Sequence, residues 1–91
     1  MRELELTSRY KKDYRLAARR GCDLGKLDAV IDHLLGGAKL PPELKDHSLG
    51  GGYSGHRECH IEPDWLLIYR VSDDESMLTA VRTGSHSDLF G

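Results

Sequence analysis

The sequence predicts an α+β domain in which a helical hairpin packs on a largely antiparallel sheet, in the order β-α-α-β-β-β. Three observations predict this class. A short alternating segment opens the chain, two segments with helical apolar spacing follow it, and three strand-like segments fill the C-terminal half. Because 91 residues suffice for one core and leave no room for a second, residues 1–91 are expected to form a single domain.

The N-terminal half contains the first strand and the helical hairpin. Alternation of polar and apolar residues over 2–6 predicts a strand with Leu4 and Leu6 on its buried face. Apolar residues at helical spacing predict helices over 8–20 and 23–35, and glycines follow both segments. Since very few residues join the two helices, we expect them to be antiparallel.

The C-terminal half begins with a long connection over residues 38–54, which is rich in proline and glycine. Connections of this length in compact domains are often functional. Strands are predicted at about 56–61, 65–71 and 76–82, with polar turns between them. The middle segment is apolar on both faces, which is typical of a central strand. The tail, residues 83–91, is expected to run off the last strand.

The composition is that of a soluble globular chain, with 38% hydrophobic and 31% charged residues. No apolar run approaches the roughly 20 residues that cross a bilayer, and the N-terminus lacks the features of a secretory signal, so we expect a cytoplasmic protein without membrane contact. Cys22 and Cys59 follow no metal or redox spacing and are expected to be free thiols.

The charge is unevenly distributed along the chain. Residues 1–20 hold seven basic and three acidic side chains, a balance of +4, and residues 21–91 hold six and twelve, a balance of -6. A local basic segment on an acidic protein can mark a surface for nucleic acid or an acidic partner. A solvated helix face is an equally good explanation from charge alone.

The residues that can carry chemistry lie in separate segments. They are His47 in the long connection, His60 and Asp64 around a strand turn, and Arg82 and His86 near the C-terminus. Antiparallel strand order is expected to bring Asp64 close to Arg82. A lone histidine at a strand end is most often a solvated side chain, so a site is indicated only if these segments converge.

Several histidines, an acid and an arginine without a protein nucleophile are typical of RNA cleavage. The substrate supplies its own nucleophile, the ribose 2′-OH. The protein has to remove that proton, neutralise the phosphate and protonate the leaving 5′ oxygen. Histidine can act as acid or base near neutral pH, and arginine offers a fixed positive fork to phosphate oxygens.

A metal site is the competing interpretation, because His47, His56, Cys59, His60 and Asp64 are all suitable ligand types. On an extended strand, however, Cys59 points to the face opposite His56 and His60. Cys59 is therefore better explained as a small core residue, and no metal is expected.

Two motifs in order, "HIEPDWLLIY" at 60–69 and "RTGSHSDLF" at 82–90, identify a family resemblance. The chain resembles the YafQ toxins of the RelE/ParE superfamily of bacterial toxin-antitoxin systems. The resemblance extends over nearly the whole chain, since residues 10–35 are similar to the helical hairpin of the family and residues 40–49 to its loop. It implies a RelE-like fold.

The resemblance also implies an activity and partners. YafQ toxins are endoribonucleases that cut messenger RNA, usually in the ribosome, without a metal or other cofactor. They are neutralised by an antitoxin, here expected to be DinJ-like, which connects the hetero-oligomeric complex to operator DNA.

Carried over by residue, the functional histidines of the family correspond to His47, His60 and His86, and its acid corresponds to Asp64. The phosphate-binding arginine corresponds to Arg82, and the aromatic residue near the C-terminus to Phe90; those two positions are expected to bind RNA. As a hypothesis, His86 is the general acid, Arg82 holds the phosphate, and His60 with Asp64 or His47 supplies base and orientation.

The alternative function is a ParE-like toxin, which binds DNA gyrase without catalysis on the same fold. A pure binder does not need the histidines and the acid. The basic side chains of the first helix are expected to contact the antitoxin or the ribosome; they are Lys11, Lys12, Arg15 and Arg19.

Overall fold

The computed structural model describes residues 1–91, and the predicted order of elements is confirmed. The helices and strands are β1 Glu3–Leu6, α1 Ser8–Arg19, α2 Leu24–Leu35, β2 His47–Ser48, β3 Arg57–Glu62, β4 Trp65–Val71, β5 Met77–Gly84 and α3 His86–Phe90. Two 3₁₀ turns, Pro42–Leu44 and Gly51–Tyr53, flank the short strand β2 in the long connection. None of the helices combines the length and the apolar composition that a transmembrane span requires.

The five strands form one sheet in the order β1-β5-β4-β3-β2. Strand β1 is parallel to β5, and all other neighbours are antiparallel. The predicted central position of β4 is confirmed: its first five residues are buried, as expected for a strand covered on both faces. Strands β1 and β2 lie at opposite edges of the sheet.

The main core lies between the sheet and the two long helices. Ala17 of α1 and Leu27 of α2 pack with Leu67 and Leu78 of the sheet, all buried. A smaller core on the other face contains Leu66, Ile68 and, from α3, Leu89. The helical hairpin therefore covers one face of the sheet, and the C-terminal segment covers part of the other.

Two predictions about the ends of the chain are wrong. Leu4 and Leu6 are 43% and 38% exposed, because β1 is an edge strand that the helices only partly cover. The tail does not run free but forms α3, whose N-terminus is closed by a capping box between Ser85 and Asp88. The burial of Leu89 then fixes this short helix on the sheet.

Candidate active site

The site is a cluster of three histidines on the face of the sheet opposite the long helices. His47 of β2 pairs with Glu58 of β3, His60 follows two residues later on the same face of β3, and His86 begins α3. The ring centroids of His47 and His60 are 6.4 Å apart, and those of His60 and His86 are 5.8 Å apart. The predicted convergence of these histidines is thus present.

Asp64 contacts His86; of its two expected neighbours, Arg82 lines the same pocket and His60 forms no hydrogen bond with it. Leu66 is opposite Gly84 in the sheet, so the residues beyond those strand ends meet. The Asp64 Oδ1 atom accepts from the His86 backbone N–H at 2.9 Å and from its Nδ1 at 2.6 Å. The backbone N–H of His86, followed by its ring, holds the pKa of Asp64 below its ordinary value.

These two hydrogen bonds determine what His86 can do. An ionised carboxylate only accepts, so Nδ1 carries a proton and Nε2 is left to exchange one. The side chain of His86 is 54% exposed, which leaves Nε2 accessible to a substrate. His86 is therefore an oriented acid or base at the open side of the cluster.

Glu58 is a functional candidate that the sequence analysis missed. It is 4% exposed, and its Oε1 lies 3.6 Å from Nε2 of His47 and 3.7 Å from Nε2 of His60. Strand parity was the signal that could have found it, because Glu58 and His60 are two residues apart on one strand and share a face. A buried carboxylate between imidazoles can hold or move protons.

Backbone carbonyls orient the other two rings. His47 Nδ1 donates to the Lys45 carbonyl at 2.7 Å, and His60 Nδ1 donates to the Pro63 carbonyl at 3.3 Å. Since a carbonyl cannot donate, Nδ1 carries the proton in both neutral rings and Nε2 has the lone pair. Nε2 of each ring faces Glu58, and because a lone pair and a carboxylate oxygen both only accept, a hydrogen bond across either gap needs a proton shared between the imidazole and the carboxylate.

The loop that carries His47 is fixed by its neighbour Asp46. The Tyr69 hydroxyl donates to Asp46 Oδ1 at 2.6 Å, and Arg57 Nε donates to the same atom at 3.2 Å. Burial, followed by Asp46, raises the pKa of Tyr69, so that hydroxyl remains a donor. The start of β2 is thereby attached to β3 and β4.

The helix that carries His86 is fixed by its capping box. Asp88 N–H donates to Ser85 Oγ at 3.1 Å, and Ser85 N–H donates to Asp88 Oδ2 at 2.9 Å. Arg20 Nη1 also donates to Asp88 Oδ2, at 2.6 Å, which connects α3 to the end of α1. A Cβ at Gly84 would lie 2.9 Å from Asp88 Cβ, so glycine is required for this close approach.

The side chain of Arg82 is largely buried and already paired with a carboxylate. Its Nε and Nη2 each donate to the Asp13 carboxylate at 3.0 Å, and its side chain is 14% exposed. Asp13, and to a lesser extent Tyr53, raises the pKa of Arg82. The bonds to Asp13 use Nε and Nη2, which leaves Nη1 for another acceptor.

The aromatic candidates differ in solvent exposure. Phe90 is 50% exposed, and its ring meets that of Tyr53 edge-on at 5.9 Å. His86 and Phe90 are four residues apart on α3 and share a helix face. Trp65 is buried and its ring N–H donates to Thr83 Oγ1, so it packs in the core and offers no face for base stacking. His56 contacts Tyr53 instead of the histidine cluster.

Three donors could hold a metal ion. Ligand atoms of Glu58, His60 and His86 all lie within 4.8 Å of one another, a set of types that suits zinc or copper. Cys59 is not part of it, because it lies fully buried on the other face and burial raises the pKa of its thiol to about 12. A bound ion would occupy imidazole lone pairs that acid-base chemistry needs.

The basic side chains that the sequence analysis assigned to a partner surface all lie exposed on α1. They are Lys11, Lys12, Arg15 and Arg19, and none of them forms an ion pair within the chain. Unpaired positive charge on one helix is suited to an acidic partner.

Comparison with known proteins identifies the family of the chain. The family model for the bacterial YafQ toxin of type II toxin-antitoxin systems matches residues 2–91. The chain is 42% identical over 91 residues to the mRNA interferase toxin YafQ of Escherichia coli K12, covering 99% of this chain and 97% of the relative.

Two solved structures are similar along their full length. A chain of the E. coli DinJ-YafQ toxin-antitoxin complex superposes with a TM-score of 0.90 at 42% identity, covering 99% of this chain and 98% of that one. A metal-bound toxin from Helicobacter pylori gives a TM-score of 0.91 at 41% identity, covering 99% and 100%. The histidine cluster and the fold therefore occur in a chain that belongs to the YafQ family of bacterial toxins of type II toxin-antitoxin systems.

Proposed function

We propose that this chain is an endoribonuclease that cuts messenger RNA by acid-base catalysis and is neutralised by the antitoxin encoded with it. The observation that carries the proposal is the oriented His86, whose Nδ1 lies 2.6 Å from Asp64 beside a second pair of imidazoles around Glu58. The names of the E. coli relative and of the DinJ-YafQ complex support the same activity and partner.

The reaction follows from the chemistry of RNA. A base in the group of His47, Glu58 and His60 removes the 2′-OH proton, and the 2′ oxygen attacks the neighbouring phosphorus. The bond from phosphorus to the 5′ oxygen breaks, and Nε2 of His86 delivers a proton to the leaving oxygen. Nη1 of Arg82 faces the charged phosphate while Asp13 fixes its guanidinium, which supports a phosphate-binding role.

Binding outside the reacting phosphate has two contributors. Phe90 offers an exposed ring on which a base can stack, on the same helix face as His86. The net charge of -2 makes general affinity for free RNA weak, because phosphate neutralisation dominates that affinity. We therefore propose that the ribosome presents the messenger RNA, and that DNA contact occurs only through the antitoxin.

The test compares induction of wild type, His86→Ala and His33→Ala in bacteria without the antitoxin, with mapping of the 5′ ends of messenger RNA. His33 is a matched control because it lies on α2 and bonds only to the Lys39 carbonyl. We expect growth arrest with new in-frame cuts for wild type and His33→Ala, and neither for His86→Ala. Arrest without cuts in all three chains would refute the nuclease and favour a gyrase-type inhibitor.

A further inference from the structure

A polar pocket lies between α1 and the junction of β5 with α3. Its α1 side is lined by Arg9, Asp13 and Arg20, which recur at helical spacing on one face, and its sheet side by Asp64 and Arg82. The volume is about 320 Å³, which is at the lower end of the range for small-molecule sites. A pocket of this size and polarity suits one nucleotide unit of an RNA chain.

The free charge in this pocket is positive. Its three acids already accept hydrogen bonds within the chain: Asp13 from Arg82, Asp64 from His86 and Asp88 from Arg20. Arg9, by contrast, is exposed, lines the pocket and forms no ion pair in the chain. A planar guanidinium without a carboxylate partner offers two parallel N–H donors to a phosphate. The pocket is therefore suited to an anionic group.

The pocket lies on the side of the histidine cluster where His86 acts. Asp64, the partner of His86, lines the pocket, whereas the members of the base group do not; these are His47, Glu58 and His60. In the proposed reaction His86 protonates the leaving 5′ oxygen, which belongs to the nucleotide that follows the cut. Attacking and leaving oxygens lie on opposite sides of the phosphorus, so the nucleotide beside His86 is the one downstream of the cut.

We propose that the pocket binds the nucleotide downstream of the cut, and that Arg9 binds the phosphate that follows this nucleotide. Arg82, which is expected at the phosphate that is cut, lines the same pocket, so two successive phosphates meet two guanidinium groups. The inference rests on the proposed function and deepens it, because it assigns a substrate-binding residue outside the histidine cluster.

Arg9 differs in position from other basic side chains of α1. Lys11 and Arg15 line a groove beside Leu4 and Leu6 of β1, and neither of them lines the polar pocket. The two sets therefore lie on different sides of the helix. Binding of RNA by Arg9 does not require the side chains that the sequence analysis assigned to the antitoxin or the ribosome.

The test measures single-turnover cleavage of a synthetic messenger RNA on purified ribosomes, at toxin concentrations below saturation. The chains are wild type, Arg9→Ala and Arg9→Lys, and the matched control is Lys39→Ala, which removes one exposed positive charge outside the pocket. We expect a rate roughly tenfold lower for Arg9→Ala, because a hydrogen bond between charged groups is lost. The control should change the rate less than about twofold, and Arg9→Lys should retain the charge and part of the rate.

A modified RNA tests which phosphate Arg9 contacts. A methylphosphonate linkage removes the negative charge of one phosphate, and it is placed either one nucleotide downstream or one nucleotide upstream of the phosphate that is cut. With the downstream linkage, wild type and Arg9→Ala should cut at equal rates, because the charge that Arg9 binds is absent. With the upstream linkage, the roughly tenfold difference should remain. Thermal melting identifies any variant that is unfolded, and the slower cutting of the downstream-modified RNA by wild type then decides.

The outcomes separate this inference from the proposed function. If wild type cuts the unmodified RNA and folded Arg9→Ala cuts it equally fast, Arg9 does not bind the substrate and only this inference fails. A difference that persists with the downstream linkage would also overturn it and would assign Arg9 to ribosomal RNA instead. If wild type cuts neither the RNA on ribosomes nor cellular messenger RNA, the proposed function itself fails.

Discussion

The carboxylate of Asp13 is expected to contribute strongly to the stability of the domain, although it lies outside the histidine cluster. Its carboxylate accepts from Nε and Nη2 of Arg82 at 3.0 Å and from the Thr83 backbone N–H at 3.2 Å. The side chains of Asp13 and Arg82 are 9% and 14% exposed, so neither charge can be fully hydrated after the other is removed. Asp13→Ala leaves a guanidinium and a buried N–H without their acceptor.

The expected loss follows from that geometry. Removing one partner of a buried ion pair costs roughly 3–5 kcal/mol, and the remaining exposure of Arg82 places this case near 3 kcal/mol. A chain of 91 residues has a total stability of roughly 5–14 kcal/mol, so the substitution should remove a large part of it. Equilibrium unfolding in urea, in the inactive His86→Ala background, measures the change.

Asp73→Ala is the control for this measurement, because Asp73 is an exposed acid with no hydrogen bond from its side chain. The midpoint for Asp13→Ala should fall while the denaturant slope stays constant, since the exposed area on unfolding is unchanged. A loss below about 1 kcal/mol for Asp13→Ala, equal to that for Asp73→Ala, would refute the assigned role of the pair.

Three further outcomes are expected. Asp64→Asn should lower RNA cleavage by roughly 10- to 100-fold, because the amide no longer fixes the Nδ1 proton of His86; unchanged single-turnover rates would contradict this. A chelator that binds zinc and copper but leaves Mg²⁺ free should leave cleavage on purified ribosomes unchanged, because the side chains themselves move the protons, and a loss restored by zinc would contradict this. Arg20, followed by Ser85, holds the pKa of Asp88 well below its ordinary value, so the stabilisation is present above about pH 4 and disappears as pH falls further. Melting curves of wild type and Arg20→Ala should therefore converge at low pH, and a constant difference would refute the linkage.

The sequence by itself determined the main elements and most of the candidate site residues, but not the short strand β2 or the helix α3. Local periodicity distinguishes strands from helices, so the order of the elements and the central, two-sided burial of β4 could be predicted. The candidate histidines could be named because their motifs resemble those of a known family. Strand parity, applied to residues 58–60, also predicted that Cys59 and His60 point to opposite faces.

The tertiary structure decided which acid serves which histidine. Asp64 is four residues from His60 in the chain, yet it bonds to His86, because the pairing of β4 with β5 brings the start of one strand to the end of the other. Strand parity places Glu58 on the same face as His60, but only the position of β2 beside β3 brings His47 to it. Such contacts depend on strand register and on a loop path, which no local pattern encodes.

The exposed leucines of β1 show the same limit. Alternation predicted correctly that Leu4 and Leu6 share a face, but whether that face is covered depends on how far the helices extend over the sheet. The burial of a side chain depends on neighbours that are distant in sequence, whereas periodicity indicates only which side chains of one segment share a face. The groove lined by Leu4, Leu6 and Tyr10 is therefore a feature of the assembled layers and not of the β1 sequence.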